Sequence, residues 1–247
     1  MTQYRFTSML FCTVLVFFLT SCGESEQTTS TDSDSTTIET TSPEAAMETN
    51  TIITTPENMM IVTHKVSDFE KWKASYDEHD SMRLVHGIHS YVIGRGVEDA
   101  NMVFVAVKAD DMAKAKAFAK DPSLKKAMQK GGVVGTPSIS LNTTTWQDTA
   151  VLGPHIIRSR TTFTVKDWDA WQKSFADGKQ ERLDNGITDR VYGYDPDDNK
   201  KVSLVTALMD TAKAFAYFNS DALKKRREAG GVIGEPKRFL FRVVQRY

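Results

Sequence analysis

The chain has 247 residues, with 31 Lys and Arg against 32 Asp and Glu, for a net charge of −1. Charged and hydrophobic fractions of 26% and 40% are those of an ordinary globular protein. The near-neutral charge is a sum of unlike parts, +1 over residues 1–22, −8 over 23–57 and +6 over 58–247. That excess suits an anionic surface or ligand but is too weak to argue for nucleic acid, and no RNA- or DNA-binding motif is present.

Residues 1–8 are polar with one base, Arg5, and Met9–Leu19 is an unbroken apolar run. A run of that length is too short for a bilayer core, which needs about 20 residues. Small and polar residues follow, the layout of a secretory signal. Leu19-Thr20-Ser21-Cys22 resembles the lipobox of bacterial lipoproteins. The resemblance implies cleavage before Cys22 and acylation of that cysteine, hence anchoring to a membrane lipid. The expected location is the cell envelope, on the outer or inner membrane, facing the periplasm or the cell surface.

Residues 23–55 are dominated by Ser, Thr and Glu. Such a stretch cannot bury enough apolar surface to offset its ordering entropy, and reads as a disordered tether. As a flexible coil it would have an r.m.s. length of roughly 30 Å. The two cysteines, Cys12 and Cys22, both precede it. The remainder therefore has no disulfide and no Cys-based metal site.

From residue 56 on, the chain repeats itself. A shift of 99 residues aligns two halves, 56–148 and 149–247, without a gap. Asp68-Phe-Glu-Lys-Trp72 matches Asp167-Trp-Asp-Ala-Trp171, and Arg83-Leu-Val-His-Gly87 matches Arg182-Leu-Asp-Asn-Gly186. Gly131-Gly-Val-Val-Gly-Thr-Pro137 matches Gly230-Gly-Val-Ile-Gly-Glu-Pro236. A period of this size means duplicated domains, not a solenoid.

In chain order, Met59–Val66 is a β-branched run, read as a strand. Asp68 is a candidate N-cap for a helix that puts Phe69, Trp72, Tyr76, His79 and Arg83 on one face. Gly87 suits its C-terminal end. Ile88–Arg95 and Met102–Lys108 read as strands joined by a turn. A helical region over 111–130, broken near Pro122, leads through the glycines to a last strand, Ser138–Gln147. The order βαββαβ is ferredoxin-like. The fold class is α+β. One such unit leaves a sheet face uncovered. Two units in one chain can cover each other, giving one pseudo-dimeric barrel in a monomer.

The segment His64-Lys-Val-Ser-Asp-Phe-Glu-Lys-Trp72, the Ala113-Lys-Ala-Lys-Ala-Phe118 stretch and the Gly131–Pro137 exit resemble the dimeric α+β barrel superfamily, in particular antibiotic biosynthesis monooxygenase-related proteins. The superfamily includes oxygenases, haem-degrading enzymes and isomerases, so the resemblance implies a fold more than a reaction. It also implies a ligand pocket between the first helix and the sheet of each unit. A haem-degrading role would imply a histidine on the second helix, and residues 110–130 contain none.

Four of the five histidines, His64, His79, His86 and His89, lie in the first copy. Their second-copy counterparts are Phe163, Gly178, Asn185 and Thr188. His64 shares strand parity with Val62 and Val66. His79 and Arg83 are four apart, on the helix face of Trp72 and Tyr76. Together they could line one cleft, with His64 or His79 as a base near neutral pH and Arg83 as an anion clamp. Trp72, Tyr76, Trp168, Trp171 and Phe175 read first as core, though aromatic walls also suit an apolar pocket. His86-x-x-His89 has no carboxylate spacing to complete a metal site. No nucleophile elbow, phosphate-binding loop, dinucleotide fingerprint or zincin motif is present. Neither cofactor nor metal is expected. The leading expectation is an envelope-anchored protein that binds a small, largely apolar molecule in its first unit. The alternatives are a cofactor-independent oxygenase or isomerase and a non-catalytic scaffold.

Overall fold

A computed structural model describes residues 50–247. The expected signal, the expected lipid acceptor Cys22 and most of the expected tether lie outside these residues. The described part opens earlier than residue 56. Ile52–Ile53 forms a short strand, β1, paired with Asp148 and Gln147. The last residues assigned to the tether are therefore docked: their backbone groups complete a sheet edge.

The first copy runs β2 (Glu57–Val66), α1 (Phe69–Glu78), α2 (Asp80–Val85), β3 (Ile88–Gly96), β4 (Met102–Ala109), α3 (Met112–Ala119), α4 (Pro122–Lys130) and β5 (Val133–Asp148). The second repeats it as β6 (Ile157–Val165), α5 (Trp168–Asp177), α6 (Lys179–Asp184), β7 (Ile187–Asp195), β8 (Asp198–Leu208), α7 (Thr211–Phe218), α8 (Asp221–Ala229) and β9 (Val232–Arg246). The local causes repeat too. The Asp68 and Asp167 carboxylates accept from the backbone N–H groups of Lys71 and Ala170 at 2.7 and 2.8 Å, capping α1 and α5. Gly87 and Gly186, at φ +66° and +68°, turn the chain from helix to strand. A side chain at Gly87 would put its Cβ 2.4 Å from the Asp110 carboxylate, so only glycine fits there.

The first helix differs from expectation. It breaks at His79 (φ −93°, ψ 16°), so Phe69–Arg83 is two short helices. Arg83 reaches back to donate to the Tyr76 carbonyl at 2.6 Å, satisfying a group at the end of α1 that the break leaves open. The second copy breaks at Gly178 and is closed the same way, by Arg182 on the Phe175 carbonyl at 2.7 Å. The last strand of the first copy also begins earlier, at Val133.

Each copy is an antiparallel four-stranded sheet, ordered β5-β2-β4-β3 and β9-β6-β8-β7. The two sheets join along both edges. β3 pairs with β9 (Gly94↔Val243, Gly96↔Phe241) and β5 with β7 (Thr143↔Tyr194, Gln147↔Val191), closing one barrel with β1 at the side. Closure removes the free edges that a single unit would expose.

Strand alternation then sorts side chains between two spaces. Along β2, Met59 and Ile61 point into the lumen, where they meet Val92, Phe104 and Phe241. Met60, Val62 and Val66 point outward, under the helices, where they meet Trp72, Ala115 and Phe118. The second copy has equivalent outer layers around Trp168, Trp171 and Val202, and around Ile187, Ala214 and Tyr217. Among the described residues no helix is long and apolar enough to cross a membrane.

Candidate functional site

Between the first-copy helices and the sheet lies a cavity of about 60 Å³. His64 comes from β2, Trp72 and Tyr76 from α1, His79 from the helix break and Arg83 from α2, and all five line it. Met60, Val62, Leu124 and Met128 supply much of the apolar remainder.

His64 is 4% exposed, and neither ring nitrogen has a hydrogen-bond partner among the described residues. Its ring lies 5.4 Å from that of Trp72, which in turn stacks toward Tyr76 at 5.2 Å. Burial disfavours the imidazolium and lowers the His64 pKa to about 4. The ring is neutral at pH 7. It can accept a proton into a hydrogen bond, but it is a weak general base.

His79 is set differently. Its Nδ1 lies 2.6 Å from the Ser75 carbonyl. A carbonyl only accepts, so Nδ1 carries the hydrogen and the Nε2 lone pair is left for another partner. Of the two histidines, His79 has the tautomer suited to taking a proton.

Arg83 is not the open anion clamp that its spacing implied. Its guanidinium lies over the Tyr76 ring at 3.7 Å, donates to the Tyr76 carbonyl, and pairs with Asp80 at 2.9 Å. These contacts use two of its nitrogens to hold the helix break together. The third, Nε, is buried without a partner. Ser90, on β3, was not anticipated; its hydroxyl meets the Tyr76 phenol at 2.8 Å.

His86 and His89 take no part. His86 packs on Phe118 and lies 3.7 Å from Asp121, while His89 bonds Asp110 at 2.8 Å. Among the described residues no group of three or more His, Cys, Asp or Glu is arranged to hold a metal.

The second copy keeps the cavity, at about 90 Å³, with a different polar set: Arg226, Arg227 and Arg238 join Arg182 on its lining, and the Tyr217 hydroxyl is buried without a hydrogen-bond partner among the described residues. Phe163 stands where His64 stands, and Gly178 where His79 does. Arg182 again stacks on the aromatic below it, Phe175, at 3.6 Å. Its Nε and Nη2 are both taken by Asp189, at 2.7 and 2.6 Å. The position equivalent to Asp189 in the first copy is Ser90, and the position equivalent to Asp80 in the second is Lys179. The arginine's carboxylate has thus moved from helix to strand, and of the two arginines only Arg83 keeps a buried guanidinium nitrogen without a partner among the described residues.

No protein-family model and no curated protein matches the chain. Solved structures share its fold. A protein from Fusobacterium nucleatum subsp. nucleatum with a provisional monooxygenase name superposes with a TM-score of 0.52 at 11% identity, covering 77% of this chain and 93% of its own. An anthrone oxidase-like protein superposes at 0.53 with 14% identity, covering 78% and 94%. Each match exceeds either half, so it runs through both copies. At such identities the likeness establishes the fold alone: a dimeric α+β barrel, here built from one chain.

Proposed function

We propose that this chain is an envelope-tethered binding protein, and that its first unit holds a small, largely apolar molecule carrying one polar group. One observation carries the reading. Two residues that line one aromatic-walled cavity, His64 and Arg83, keep buried polar atoms with no partner in the described protein. Such atoms cost about 1–3 kcal/mol each when left unpaired. A ligand that donates to the His64 ring and accepts from Arg83 Nε offsets that cost, while its apolar body rests on Trp72 and Met128. The cavity volume limits the occupant. A cavity of about 150 Å³ is known to admit benzene, so at about 60 Å³ even a single benzene-sized ring requires the helices to move apart.

Native mass spectrometry of the full chain, purified from its own host's envelope, tests the reading. A small adduct retained by the wild type and lost in H64F supports it. An adduct kept equally by H64F, or none on either protein, contradicts it. Tethering rests on the Leu19–Cys22 motif. C22A is expected to leave the membrane fraction, and its retention there would refute the anchor.

The names of the fold relatives, a monooxygenase and an anthrone oxidase-like protein, favour the oxygenase among the enzyme alternatives as a second reading. His79 is the better base for it, since its Nε2 lone pair is fixed by the Ser75 contact. H79A would then abolish turnover while leaving the adduct in place.

A further inference from the structure

The lumen of the barrel holds a separate cavity of about 70 Å³. Met59, Ile61, Phe104 and Phe241 make its apolar wall, and Arg158, Arg190 and Arg246 gather on its lining. All three arginines come from the second copy. Their first-copy counterparts are Met59, Tyr91 and Gln147. Arg190, like Tyr91, stands at a register shift of its strand, which turns its side chain inward.

Arg158 and Arg190 are 3% and 4% exposed. One carboxylate in the lining, Asp148, answers the three. It is already engaged by Arg190 Nη1 at 2.6 Å, by the Thr51 hydroxyl at 2.7 Å and by the Ala150 N–H at 2.9 Å. The other Arg190 nitrogen goes to the Ala150 carbonyl. Among the described residues Arg158 donates only to the Ile156 carbonyl, at 3.1 Å, and neither it nor Arg246 forms an ion pair. Burial, with repulsion from Arg190 and Arg246, lowers the Arg158 pKa to about 10, still well above neutrality. A buried cation without a counter-charge is among the costliest groups a fold can carry.

We propose that this part of the lumen binds a small oxyanion, gripped by the Arg158 guanidinium and flanked by Arg190 and Arg246. The guanidinium fork matches two oxygens of a phosphate-type ion or a carboxylate. The cavity is about half of one that takes benzene, which admits an ion of a few heavy atoms and excludes a long-chain acid. The site is independent of the outer cavity at His64.

The test is calorimetric titration of the full chain with inorganic phosphate, sulfate and acetate at fixed ionic strength in chloride. One saturable site is expected. Preference for phosphate and sulfate would assign a tetrahedral ion, and preference for acetate a short carboxylate. R158M, which installs the first-copy residue, is expected to weaken binding roughly tenfold or more with an unchanged circular dichroism spectrum. D148N, which frees Arg190, is expected to tighten it, and H64F to leave it alone. If R158M does not fold, R246Q serves instead, with the same expected loss. No saturable binding of any of the three ions would overturn the proposal, as would equal affinity in wild type and the arginine variant.

Discussion

The two copies share a backbone plan but set different polar groups at equivalent positions. Under the helices the first copy buries a histidine, His64, where the second has Phe163. In the lumen the second copy is polar, with Arg158 and Arg190 where the first has Met59 and Tyr91. Duplication explains this. Each fold position exists twice, so one member of each pair can keep the core packed while the other carries a costly polar group. What both copies retain, the caps at Asp68 and Asp167, the glycines at 87 and 186 and the arginine that closes the helix break, is what the fold itself needs.

The largest expected effect separates two arginines at one position. R182M strands the Asp189 carboxylate, whose side chain is 11% exposed, and should cost about 3–5 kcal/mol. R83M strands Asp80, whose side chain is 50% exposed and can be solvated, so about 1–2 kcal/mol is expected. Urea denaturation measures both. Equal losses would mean that the two arginines are equivalent and that the first copy is no more open than the second.

Next comes pH. The unfolded His64 ring titrates near 6.5 and the folded ring at about 4. Between those values the unfolded state binds more protons, so stability is full above pH 6.5 and falls as the pH drops toward 4. The span is about 3 kcal/mol. H64F should remove this slope. A wild-type profile that is flat across the window would show that the ring is solvated.

The smallest effect comes from transplanting the second-copy arrangement. D80K/S90D gives Arg83 the strand carboxylate that Arg182 has. Stability should rise by about 1 kcal/mol as the free N–H is satisfied, and the retained ligand should be lost. Retention of ligand by this variant would free Arg83 Nε of any role.

The fold was legible because its determinants are local and doubled: an Asp before each first helix, a glycine after it, and a 99-residue register. The outer site was partly legible. Strand parity placed His64 with Val62, and four-residue spacing placed His79 with Arg83. What Arg83 already holds was not legible, because its partners Tyr76 and Asp80 meet it only once the helix breaks at His79. The lumen arginines were hidden for another reason. Strands buried on both faces give no polarity signal to tell lumen from helix side, and the register shift at Tyr91 and Arg190 interrupts parity where it was needed. The same 99-residue shift does set Arg158 against Met59 and Arg246 against Gln147, a contrast of charge against neutrality at positions that should be core.

The first copy keeps an unspent polar group, the buried His64 ring, in its outer cavity. The most direct measurement is an NMR titration of the five imidazoles in the full chain, with His64 assigned from the signal missing in H64F. His64 should titrate near pH 4, and lower still when a ligand that donates to its ring is bound, because that contact favours the neutral imidazole. Titration of His64 near 6.5 in the ligand-free protein would contradict it.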